Sequence, residues 1–270
     1  MNNPGFFKIF AEPKSLIGMI HVQALPGTPK NHLSVAEISA QAVKEARLLA
    51  GNGFQAIMLE NMHDVPYLNR HVGPEITAAL TRVSSEVRAA TDLPLGLQIL
   101  AGANQAALSV AQAAELQFIR AEGFVFGHIA DEGLMQSDAG ELLRFRKQMG
   151  ADNIQIFTDI KKKHSSHAVT SDISLEDTVA AAAFFLSDGV IITGTHTGKP
   201  VNQAELARVY ASTDIPVLVG SGVTPEGLPQ IWEQADAFIV GSYFKTKGNW
   251  QNDPDPERIQ RLLQARENLL

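Results

Sequence analysis

The chain has no cysteine among its 270 residues. Disulfides, thiolate catalysis and cysteine-held zinc are therefore excluded, and a reducing compartment fits the composition. Positive charge is in the minority: 22 Lys and Arg stand against 29 Asp and Glu, for a net charge of -7. That balance argues against nucleic acid as a partner, because such binding draws mainly on Lys and Arg meeting phosphates. Long apolar runs are also missing. The longest, such as Val179 to Leu186, fall far short of the roughly 20 residues that cross a bilayer, so no transmembrane segment is expected. The first residues, Met1 to Lys8, lack the layout of a signal peptide. The expectation is a soluble, cytoplasmic protein with a small-molecule partner, for which a homo-oligomer is allowed.

What is present is a repeating alternation. Apolar runs occur at Leu16–His21, Ala56–Glu60, Leu95–Leu100, Gln117–Glu122, Ile154–Asp159, Val190–Thr193, Pro216–Gly220 and Ala237–Gly241. Most lack polar alternation, as expected of parallel strands covered on both faces. Helix starts lie between them. Ser34 with Glu37 forms a capping box, Ser174 with Asp177 and Asn202 with Glu205 are weaker versions, and Thr224-Pro225 reads as an N-cap with proline at the first helical position. Eight strands alternating with helices, at a length typical of one barrel, predict a single (β/α)8 domain of the α/β class over residues 1–270, with no internal linker.

Two glycine-serine turns carry the functional signal. Val217-Leu-Val-Gly220-Ser221-Gly222 and Ala237-Phe-Ile-Val-Gly241-Ser242 each end an apolar run on residues that let backbone amides approach an anion. In barrels, the loops after strands seven and eight frequently make a phosphate site. Thr193 and Gly194, after the sixth run, would join its wall with Gly220, Ser221, Gly222, Gly241 and Ser242. The ligand expected there is a small phosphorylated metabolite. The nearby Thr193-Gly-Thr-His-Thr-Gly-Lys199-Pro200 looks like a nucleotide-binding P-loop but has Thr193 in place of its first glycine and Pro200 after the lysine.

The other strand ends are polar. His21 closes the first and Glu60 the second, Arg120 and Glu122 lie on the fourth, and Asp159-Ile-Lys161 closes the fifth. By alternation, Asp159 and Lys161 share a face. A carboxylate and an ammonium at a barrel mouth can move a proton beside a carbonyl, or Lys161 can form a Schiff base. Glu60 is a candidate second base. With Asp159 and His21 it is alternatively a ligand of a divalent metal. Asp159 with Lys161 also fits a plain structural ion pair. Lys161 to Lys163 reads in part as a solvated cluster, His164 and His167 as exposed loop residues, and Asp131-Glu132-Gly133 as a turn.

Several of these stretches together resemble the BtpA/SgcQ family of barrel proteins. They are Ile17-Gly-Met-Ile-His21, Leu25-Pro-Gly27, Met58-Leu-Glu-Asn61, Gly73-Pro-Glu75, Asp159-Ile-Lys161, Thr193-Gly-Thr195 with Thr197-Gly-Lys-Pro200, and Val219-Gly-Ser-Gly-Val-Thr-Pro225. The resemblance runs from about residue 16 to 261 and implies a (β/α)8 fold. It also implies kinship with cyanobacterial proteins linked to photosystem I biogenesis and with bacterial proteins found among sugar-metabolism functions. Gly96 to Asn104 and Glu122 to Gly133 depart from the pattern of many relatives, which points to an altered lid or substrate end. Two functions follow as expectations. One is an isomerase, epimerase or lyase acting on a phosphorylated metabolite; the other is a non-catalytic biogenesis factor for a membrane protein complex.

Overall fold

In-out parity along short strands organises the molecule. The computed structural model describes residues 4–194 and 198–270. Eight parallel strands close into a barrel in sequential order. They are β1 (Ser15–His21), β2 (Ala56–Glu60), β3 (Leu95–Gln98), β4 (Phe118–Ala121), β5 (Gln155–Ile160), β6 (Gly189–Ile192), β7 (Val217–Val219) and β8 (Ala237–Val240). Alternate residues divide into two apolar layers. Ile17, Met19, Met58, Phe118, Phe157, Ile191, Leu218 and Ile239 form the barrel interior. Leu16, Ile20, Ile57, Leu59, Ile119, Ile156, Val190, Val219 and Phe238 pack outward under the helices. Burial on both faces explains why the runs read as unbroken apolar stretches.

The caps behave largely as the sequence indicates. Ser34 accepts from the Glu37 amide while Glu37 bonds back to the Ser34 amide, starting the helix Val35–Asn52. Ser174 caps Leu175–Phe184, and Asn202 caps Gln203–Ser212. Thr224-Pro225 is a correction. Its segment is a turn in which the Thr224 hydroxyl accepts from the Gly227 amide, and the helix starts only at Leu228.

Two elements close the barrel ends. At the N-terminal end of the strands, the helix Pro4–Ile9 brings Phe6 and Phe10 against Phe157 and Phe118. At the opposite end, Asp131-Glu132-Gly133 turns a hairpin between strands His128–Ala130 and Gly133–Met135, and Ser165–Ser166 pairs with its first strand. This small antiparallel sheet covers part of the barrel mouth. Among the described residues, no helix is long and apolar enough to cross a membrane.

Candidate functional site

The parity that fills the interior continues upward into polar residues. Above Met19, Met58, Phe118 and Phe157 stand His21, Glu60, Arg120 and Asp159. All four are buried. Two residues beyond Ile191, Leu218 and Ile239 come Thr193, Gly220 and Gly241. Four strands thus end in ionisable groups or imidazole, and β6, β7 and β8 end in small residues.

A cavity of about 200 Å³ opens above this layer. On one side it is lined by His21, Glu60, Arg120 and Lys163. On the other it is lined by Gly220 to Gly222, Gly241 and Ser242, with Arg258 from the last helix. Of the residues expected to hold phosphate, Gly220, Ser221, Gly222, Gly241 and Ser242 thus share one cavity with Glu60 and His21.

Other expected phosphate donors are engaged elsewhere. The Gly194 amide donates to the Ser221 hydroxyl at 2.7 Å, and that hydroxyl lies 3.3 Å from the Lys199 carbonyl. The Gly220 amide donates to the Ile192 carbonyl, extending the strand ladder. Neither amide is available to an anion. Thr193 does not line the cavity; its Oγ1 is buried without a hydrogen-bond partner among the described residues. Gly222 has φ +69, and a Cβ there would collide with the Lys199 carbonyl. A bulky residue at Gly222 would therefore disturb the loop itself.

Electrostatics around Glu60 and His21 centre on burial. Burial drives the Glu60 carboxyl above its ordinary pKa, against the pull of Arg120 and Lys163. His21 is pushed down to about 3, first by burial and then by Lys245. It is therefore a neutral imidazole at physiological pH. Its Nδ1 lies 3.2 Å from the Trp250 carbonyl, which can only accept, so the proton sits on Nδ1 and Nε2 keeps its lone pair. Nε2 lies 3.8 Å from Glu60 Oε2. A carboxyl whose pKa is raised by burial is suited to giving and taking a proton.

Asp159 is not the partner of Lys161. Arg120 takes both of its oxygens, Nε to Oδ2 at 2.9 Å and Nη2 to Oδ1 at 2.8 Å. Lys161 sits just past the strand end with φ +48, which breaks the alternation that would have kept it beside Asp159. Its ammonium donates to the Ile173 carbonyl at 2.6 Å. Lys162 is drawn to Glu122 at 3.0 Å and lies 3.9 Å from Glu132 of the hairpin. Burial opposes its charge, but those carboxylates outweigh it and raise its pKa. Glu122 also accepts from Gln98 at 2.9 Å. Lys163 is the lysine that reaches the cavity, with a pKa lowered by burial and by Arg120 against the opposing pull of Glu60.

The metal alternative is also corrected. With both Asp159 oxygens accepting from Arg120, a cation at Glu60, Asp159 and His21 would face a guanidinium and an ammonium. Among the described residues no group of three or more His, Asp or Glu is arranged to hold a metal. His167 bonds to the Lys162 carbonyl at 2.9 Å, with its ring 5.3 Å from that of His128.

Sequence reasoning placed Lys163 in a partly solvated cluster, whereas it lines the cavity, and passed over Arg258. Arg258 donates to the Tyr243 carbonyl at 2.5 Å and lies over the Tyr243 ring. Its only sequence signal was its place three residues after the helix cap Asp255.

The comparisons agree with this architecture. The profile of the BtpA family matches residues 12–268. A mitochondrial protein of Caenorhabditis elegans is 45% identical over 92% of this chain and 91% of its own length. The photosystem I biogenesis protein BtpA of Synechocystis is 29% identical over 96% of this chain and 90% of its own. Among solved structures, tryptophan synthase of Mycobacterium tuberculosis superposes with a TM-score of 0.60 at 18% identity, covering 97% of this chain and 96% of that one. At that identity the likeness speaks to the fold alone.

Proposed function

This chain belongs to the BtpA family, and from that premise we propose that it is an enzyme acting on a small phosphorylated metabolite by acid–base chemistry. One observation carries the reading: a single cavity joins Gly222, Gly241 and Ser242 to the buried Glu60–His21 pair. Glycine turns at this place on a barrel suit a phosphate, and Arg258 adds a cation on the same side. Glu60 would give and take the proton of the substrate, with the neutral His21 imidazole 3.8 Å away as its neighbour. Arg120, held rigid by Asp159, would stabilise negative charge developing on a substrate oxygen. Holding several ionisable groups out of water is costly unless they are paired or used, which favours a chemical role. An isomerase, epimerase or lyase fits these parts.

The test is a thermal-shift screen of sugar phosphates and short phosphorylated acids against the isolated protein. A ligand at about 100 times its Kd adds roughly 2.7 kcal/mol of stability. Stabilisation by a phosphorylated compound, absent with its dephosphorylated form, is the expected result. A flat response across the screen would remove the proposal.

A second reading has its own support. Phe184, Phe185 and Leu186 end the helix Leu175–Phe184 with exposures of 82%, 46% and 67%. An exposed apolar run of this kind suits partner binding, in line with the name of the Synechocystis relative. Complementation of a deletion strain separates the two. A Phe184→Ser, Phe185→Ser, Leu186→Ser variant should fail on the partner reading, and Glu60→Gln should fail on the enzyme reading.

A further inference from the structure

Three successive lysines leave β5 and go to three different places. Lys161 is tied to the Ile173 carbonyl, Lys162 to Glu122, and Lys163 lines the cavity. Positive φ values at Lys161 and His164, 48° and 55°, bracket the segment and turn it off the strand path. Behind the turn, Ser165–Ser166 is paired to the hairpin strand His128–Ala130, which anchors the loop to the covering sheet.

Among the described residues Lys163 makes no ion pair. The two carboxylates that would ordinarily claim it are otherwise directed. Both Asp159 oxygens accept from Arg120, and Glu122 is matched by Lys162 and Gln98. Glu60 lines the same cavity and keeps its proton more readily than a solvated carboxyl. A half-buried ammonium that lines a cavity without an ion pair, beside a guanidinium, is a setting in which a lysine gives up its proton and becomes a nucleophile.

We infer that Lys163 is the covalent nucleophile of this cavity, and that the substrate is a phosphorylated aldehyde or ketone held as an imine on its Nζ. The inference rests on the proposed reading of the cavity as an enzyme site and deepens it. The neutral amine adds to the carbonyl carbon, and the carbonyl oxygen takes a proton, giving a carbinolamine. That hydroxyl leaves as water with a second proton, and the Nζ–carbon double bond forms. Glu60 is the acid available in the cavity for these transfers. Once the imine nitrogen is protonated, it accepts the electron pair of a neighbouring C–H bond, the Glu60 carboxylate takes the released proton, and Glu60 returns it to a carbon of the enamine, which becomes an imine again. Imine hydrolysis restores the amine. No oxidant, reductant or metal enters the balance.

The experiment is borohydride trapping on the full chain, with dihydroxyacetone phosphate and, separately, phosphate-free pyruvate as carbonyl probes. Peptide mass mapping locates the adduct, and calorimetry with inorganic phosphate is run on the same protein. The expected result is one reduced adduct per chain, at Lys163. Lys163→Arg should abolish it, and Lys161→Arg and Lys162→Arg should preserve it. At neutral pH Lys163 should react faster than the surface lysines, because more of it is present as free amine. No adduct with either probe, or adducts spread over surface lysines, would overturn the inference. If inorganic phosphate still binds in that case, the phosphate reading survives alone. A Lys163 adduct without phosphate binding would instead retain the nucleophile and remove the phosphate end.

Discussion

Arg120 holds Asp159 through two parallel hydrogen bonds, 2.9 and 2.8 Å long, across neighbouring strands at the mouth of the barrel. Both groups are buried. Asp159 thereby fixes a guanidinium that also lines the cavity. Removing one partner of a buried, hydrogen-bonded pair typically costs about 3–5 kcal/mol, because the other charge is left uncompensated.

Asp159→Ala should therefore lower unfolding stability by about 3–5 kcal/mol. Lys161→Ala loses one hydrogen bond to a carbonyl and should cost about 1 kcal/mol. Urea denaturation of the two variants makes the comparison. Equal losses, or the larger loss at Lys161, would contradict the pairing seen here.

Glu60→Gln should leave stability near that of the parent, since it replaces a buried acid with a neutral side chain of the same shape. Once a substrate is in hand, turnover should fall by about 10²–10⁴-fold, the usual span for a lost acid–base group. A variant with full turnover would take Glu60 out of the chemistry.

Ser242→Asp adds a negative charge at the glycine-loop side of the cavity, where Ser242 and Arg258 both line it. Phosphorylated ligands should bind at least about tenfold more weakly, roughly 1.4 kcal/mol, and their dephosphorylated forms should be little affected. Calorimetry reads both. Ser242 is a better probe than Gly222, whose positive φ and tight approach to Lys199 would confound any substitution.

The pH dependence follows from His21. Burial holds its pKa down at about 3 in the folded protein, against an ordinary value of 6.5. The unfolded chain therefore binds the proton more readily. The stability from keeping His21 neutral is fully present above pH 6.5 and is lost as pH falls toward 3, by up to about 1.4 kcal/mol per pH unit. Glu60 works the other way. Its raised pKa favours the folded state as the carboxyl protonates, and that contribution is lost as pH rises through the folded value. Denaturation from pH 7 to 5 should show a shallower fall in His21→Gln than in the parent. Identical slopes would mean that His21 is not held neutral.

Much of this fold can be read from periodicity. The eight apolar runs match the barrel strands to within two residues at each end, because burial on both faces writes each strand as a local signal. Inward parity likewise brings His21, Glu60, Arg120 and Asp159 to one level. The misses are of another kind. Parity cannot survive the left-handed backbone at Lys161, so Lys161 does not stay beside Asp159, whose partner is Arg120. Arg120 has the inward parity of Asp159 on the adjacent strand, and that signal for their pairing was available. The helix that plugs the barrel with Phe6 and Phe10, and the meeting of Ser165–Ser166 with the hairpin, depend on contacts between distant segments that no local pattern encodes. Arg258 reaches the cavity from the last helix for the same reason.

The central claim is that one cavity takes phosphate at its glycine loops and carbonyl chemistry at Glu60 and Lys163. Its most direct test is a crystal structure of the protein soaked with dihydroxyacetone phosphate. The account predicts phosphate density against Gly222, Gly241, Ser242 and Arg258, with the carbonyl carbon directed to Lys163 and Glu60. An empty cavity with the ligand bound elsewhere, or a ligand turned with its phosphate toward Glu60, would contradict it.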